Sequence, residues 1–262
     1  MSAPIPQPVE AAAPEVMGAD RDIGRGFLML AVFVVAEVTF LAVSVLVVLP
    51  FALGAPHRAA AGSLPPTVLV ASLVAPTLLA GLVAMGGAAL IGRGSLRERL
   101  GSELSVRWRR SDVGIGLGLG VAGMIITVPA SLLWARWVGK GQANSAVGEV
   151  FDGQRLPLGL ALAVFVGVWL VAPLCEELLY RGVLWRALEH WRWNRWVIFG
   201  LTTVLFSMAH FEVLRTPLLV VITLPIALAR LLTGNLLASI VAHQANNFLP
   251  AVGLLLVTQG VT

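Results

Sequence analysis

Seven stretches of the chain run apolar for about the length a bilayer demands, near 27–53, 66–91, 113–134, 157–178, 196–211, 217–232 and 235–258, with charge held at the joints between them. A span needs roughly 20 such residues. The apolar positions are continuous rather than alternating, which predicts helices and not the two-residue period of barrel strands. In lipid only such self-satisfied backbones survive. The pattern therefore predicts an all-α fold, a polytopic membrane helix bundle of about seven (six to eight) transmembrane helices. Residues 1–24 are Pro/Ala-rich and mixed in charge, and they lack the basic start and short apolar core of a signal peptide. They read as a disordered tail, and 25–262 as a single transmembrane domain.

Composition agrees with the pattern. Of 262 residues 58% are hydrophobic and 12% charged, with mean hydropathy +0.88; a soluble domain carries about 25% charged residues. The formal net charge of +4 does not point to nucleic acid, because almost every basic residue is an arginine in a short inter-run loop. With the N-terminus inside, Arg21 and Arg25, the 93–110 cluster, and Arg186, Arg192 and Arg195 all fall on the inner face, against Arg58, Arg136, Lys140 and Arg155 outside. The positive-inside rule thus predicts a multi-pass protein of the cell membrane with a cytoplasmic N-terminus. Segment 93–112 reads as an amphipathic piece lying on the anionic leaflet. "GLGVAG" (118–123) matches a dinucleotide motif by letter alone; small residues at this spacing let membrane helices approach. The single cysteine, Cys175, excludes an intrachain disulfide. No internal repeat is found, which weighs against a carrier built from duplicated halves.

Ionisable and amide groups inside apolar runs mark candidate chemistry. They are Glu37, the group Glu176, Glu177 and Arg181, then His210, and His243 with Asn246 and Asn247. On a helix Glu177 and Arg181 are four apart, acid first, and can neutralise each other. Glu176 points about 100° away and is left over, available as a general base or simply solvated at the end of the run. "WRWNRW" (191–196) reads as the bend of a helical hairpin, with Glu176 and His210 equidistant from it and so level. His243 and Asn247 share one face. Bringing His243 to the depth of Glu176 requires tilt or an irregular stretch near Pro217–Pro225. Glu37 is expected to pair with Arg230 or Arg181, or to sit protonated against a carbonyl.

Taken together, "EELLYR" (176–181), "FSMAH" (206–210) and "HQANN" (243–247) resemble the EExxxR, FxxxH and HxxxN motifs of the CPBP family, the CAAX proteases and bacteriocin-processing enzymes also called Abi. The motifs stand in the family's order and set a catalytic core at about 157–250. The resemblance implies a glutamate-type intramembrane endopeptidase without a cofactor. Glu176 would activate water, assisted by His210; His243 and Asn247 would donate to the oxyanion; Glu177 and Arg181 would brace the site. It further implies a membrane-associated protein or peptide as substrate, prenylated in the eukaryotic branch. Three other readings compete. Glu176 and the two histidines could instead hold zinc with a water in an open position, although no HExxH stretch is present. The chain could be a non-catalytic immunity or interaction scaffold, or a proton-coupled carrier.

Overall fold

Each of the seven apolar runs is a helix. The computed structural model describes residues 14–54, 64–139 and 145–261. In chain order the helices are α1 (Pro14–Gly54), α2 (Pro66–Ile91), α3 (Leu96–Glu103), α4 (Arg110–Val138), α5 (Ala146–Phe151), α6 (Leu158–His190), α7 (Arg195–Met208), α8 (Thr216–Thr233) and α9 (Leu236–Gln259). The tail expected through residue 24 lies outside the described residues up to 13, and from Pro14 the chain is helical. Among the described residues six helices are long and apolar enough to cross a membrane. The seventh run, α7, has 14 residues and rises only about 21 Å, short of a hydrocarbon core about 30 Å thick.

Local chemistry sets the ends. Pro66 opens α2 at a position where its missing N–H costs nothing. Ser95 and Glu98 form a reciprocal capping box on α3. Asn194 and Asn235 cap α7 and α9 through their side-chain oxygens. Gly234 closes α8 at φ +63°, a left-handed conformation in which a side chain is strained. Asn235 also donates to Asp112 at 2.8 Å and to the Arg107 carbonyl, which pins the start of α9 to the start of α4.

Packing follows small residues. Gly116, Gly120 and Gly123 of α4 lie against Ala238, Ala242 and Asn246 of α9, and a Cβ on Gly116 or Gly120 would strike α9 backbone carbonyls. Close helix packing is thus what two of the "GLGVAG" glycines, Gly120 and Gly123, serve, whereas Gly118 has no neighbour within 4 Å. The core gathers Met29 and Ala36 of α1, Ala84 and Ala88 of α2, Tyr180, Val183 and Trp185 of α6, Phe206 of α7 and Leu236 of α9. Leu90, Ile125, Leu133 and Leu249 point outward, an apolar exterior suited to lipid.

Candidate active site

Helix α6 carries the acidic pair, and it is not a uniform α-helix. Residues Gly167–Val171 and Leu178–Leu184 form π turns on either side of a short α segment, Ala172–Glu177. Pro173 explains the first: it has no N–H, and its ring would clash with the carbonyl of Trp169. The backbone widens instead, and the Ala172 N–H reaches Gly167 five residues back. Widened turns loosen their carbonyls, and neighbouring helices satisfy them. Gln244 and Asn247 of α9 donate to Leu170 and Val168, each at 3.3 Å. Arg230 of α8 donates Nε–H to the Arg181 carbonyl at 3.0 Å in the second π turn. The irregular stretch that adjusts depth therefore lies in α6, not near Pro217–Pro225, where α8 is helical throughout.

Glu176 and Glu177 both reach His243. The Nδ1 of His243 donates to Glu177 Oε1 at 3.0 Å, since an ionised carboxylate can only accept. Its Nε2 stands 3.7 Å from Glu176 Oε2. The same Glu177 oxygen accepts from Arg181 Nη1 at 2.9 Å, and both side chains are fully buried. Glu176 is 28% exposed. The division read from helical spacing, with one acid committed and its neighbour left over, is thus the geometry observed.

An aromatic floor lies beneath these groups. The Arg181 guanidinium sits 4.5 Å above the Phe206 ring, a favourable cation–π geometry. Phe206 meets Tyr180, His210 and His243 at 5.3, 4.9 and 5.6 Å between ring centroids. His210 is exposed at the end of α7 and donates Nδ1–H to the Phe206 carbonyl at 2.9 Å, which leaves Nε2 turned from the backbone.

Two sequence expectations are placed differently. Glu176 was expected to face His210. Among the described residues no hydrogen bond or ion pair joins them; the imidazole beside Glu176 is His243, and His210 joins through Phe206. The hairpin register assumed uniform α-helix, and the second π turn, Leu178–Leu184, lies between Glu176 and the bend and changes which residue comes level. Asn247, expected beside His243 as a donor, spends one amide N–H on Val168. Its neighbour Asn246 is buried and accepts from Thr127 at 3.4 Å.

Glu37 pairs with neither arginine. Arg181 is taken by Glu177, while Arg230 lies 5.3 Å from the Trp185 ring and holds the Arg181 carbonyl. Glu37 lies instead within hydrogen-bonding reach of the Tyr180 hydroxyl and near Glu176. Sequence reasoning missed Tyr180, Gln244 and the structural role of Arg230. A lone arginine inside the apolar run of α8 was the available signal for the last. Among the described residues no three His, Cys, Asp or Glu side chains are arranged to hold a metal.

Residues 158–249 match the family model described as Rce1-like, type II CAAX prenyl endopeptidase Rce1-like. The match covers all three motifs and agrees with the resemblance to the CPBP family. No curated protein and no solved structure matches the chain.

Proposed function

We propose that this multi-pass membrane protein, whose 158–249 segment is similar to type II CAAX prenyl endopeptidases, is an intramembrane endopeptidase that uses Glu176 as its base. The observation that carries the reading is the seating of His243 between two unlike carboxylates, one fully buried and bound to Arg181, the other partly exposed. A fixed acid orients the imidazole, and a free acid beside it can take a proton.

The steps follow from these positions. Glu176 removes one proton from a water, and the resulting hydroxide adds to the scissile carbonyl carbon. Negative charge then develops on the carbonyl oxygen. His243, held through Nδ1, would present Nε2–H to that oxygen in its doubly protonated form, with the second amide N–H of Asn247 as a further donor. The intermediate collapses with cleavage of the C–N bond, and the proton held by Glu176 passes to the leaving amine. His210, exposed at the rim, would assist water or product protons through Nε2. General-base and oxyanion contributions are each worth roughly two to four powers of ten in rate. The substrate is a membrane-associated protein or peptide, and the CAAX-like reading favours a prenylated one.

Glu176→Gln keeps shape and removes the base. In cells carrying this form, uncut precursors of membrane-associated peptides are expected to accumulate relative to wild type. The purified variant should lose at least two powers of ten in turnover of a farnesylated reporter peptide. Cleavage by wild type should persist in a metal chelator, and chelator-sensitive cleavage would move the reading to zinc. Undiminished turnover by Glu176→Gln would end the assignment.

A further inference from the structure

Glu37 is the sole acidic residue between positions 23 and 54, deep in the first apolar helix. An ionisable group at that depth is costly without a partner. The two buried arginines nearest the site have other partners, Glu177 and the Arg181 carbonyl. The placement of α1 shows where Glu37 is directed. Phe33, one turn earlier on the same face, meets the Tyr180 ring edge-on at 5.3 Å. Met29 and Ala36 are buried in the core that contains Tyr180. Glu37 thus lies over Tyr180, its carboxyl group in reach of the phenol hydroxyl. Tyr180 is itself 5% exposed and packs edge-on against Phe206, the ring that supports both histidines. A buried phenol needs an acceptor, and Glu37 supplies one.

We propose that Glu37 is a positioning residue of this site, acting on His243 and Glu176 through Tyr180. The role rests on the endopeptidase reading. The Glu37 carboxyl group holds the Tyr180 hydroxyl, and the Tyr180 ring in turn keeps Phe206 in place beneath the site. Phe206 packs edge-on against His243, the imidazole beside Glu176, so a fixed Tyr180 ring keeps His243 turned toward Glu176. Glu37 touches neither substrate nor reacting atoms in this scheme, and its substitution lowers kcat while leaving KM nearly unchanged.

Tyr180 is the only tyrosine in the chain, so protein labelled with 13Cζ-tyrosine gives one resonance that reports this contact alone. Glu37→Gln replaces the carboxyl group that meets the phenol with an amide. The resonance is expected to move upfield and kcat on the reporter peptide to fall roughly tenfold to a hundredfold, as for other residues that orient a reacting group. Glu37→Asp, which keeps the carboxyl group at shorter reach, should recover part of that loss. Tyr180→Phe should match Glu37→Gln, and the double variant should cost no more than either alone. An unmoved resonance in Glu37→Gln overturns the proposal whether or not any peptide is cut. A moved resonance with unchanged kcat, beside an inactive Glu176→Gln, overturns it and leaves the endopeptidase reading standing. Cleavage that survives in Glu176→Gln, or a wild type that cuts no reporter, removes the endopeptidase reading and the proposed role with it.

Discussion

Glu177 holds two donors on one oxygen, Arg181 Nη1 and His243 Nδ1, in surroundings closed to water. Its removal strands a fully buried guanidinium, and breaking a buried pair from one side costs about 3–5 kcal/mol. Glu177→Ala is therefore expected to lower the thermal unfolding midpoint of the purified protein substantially and to abolish cleavage. Glu176→Ala, acting on a partly exposed group with no short hydrogen bond, should abolish cleavage with little change in the midpoint. Equal midpoints for the two variants would mean that Glu177 does not brace the site. The difference between these acids was legible in the sequence because a partner four residues away on one helix is fixed by helical geometry alone. Glu37 and Asn247 were not legible. Their partners lie on other helices, at heights set by two π turns, and no spacing along their own helices encodes that.

At the scale of the element, α3 shows how a short polar helix is moored. Glu103 at its end is 3% exposed and faces His190 at 3.4 Å, with Arg186 and Arg25 each at 3.8 Å. The hydrogen bond from His190, and then the two arginines, hold the Glu103 carboxyl below its ordinary value of 4.5 against the opposing effect of burial. A carboxyl depressed in the folded state contributes stability that is full above the ordinary value and is lost as pH falls through the lower, folded one. Glu103→Gln should therefore unfold at lower temperature than wild type near neutral pH. The gap should narrow as pH drops below 4.5, in melting curves followed by tryptophan fluorescence. A gap that does not change with pH would exclude this mooring. The existence of α3 was legible as an amphipathic segment, 93–112. Its anchor was not, since Glu103 and His190 are far apart in sequence. The π turns were legible only in part: Pro173 announces a break in an α-helix, whereas nothing in 178–184 announces the second.

For the whole molecule, one end of the bundle carries the arginines. Arg93, Arg97, Arg99, Arg107 and Arg109 sit between α2 and α4, Arg110 opens α4, and Arg186, Arg192 and Arg195 lie in the last turns of α6 and at the α6–α7 bend. The start of α9 joins that end through Asn235. The opposite end is tied by Leu156 N–H to the Thr258 carbonyl and by Arg155 to the Gln259 carbonyl. Charge asymmetry of this kind orients membrane proteins with the basic end in the cytoplasm, and it was readable before any helix was placed because it needs only the loops. Cys175 is buried, so a Cys175→Ala background can carry one reporter cysteine at either end. A cysteine at position 97 should react with an impermeant maleimide only after the cell membrane is opened, and one at position 154 should react in intact cells. The reverse pattern would place the basic end outside. The same experiment bears on the proposed chemistry, because Glu176 lies 14 residues before the end of α6 at His190, about 21 Å along a helix. Water and the scissile bond must reach that depth from one of these faces. Cysteines introduced at positions flanking His210, on the exposed rim of α7, should label from whichever face supplies them.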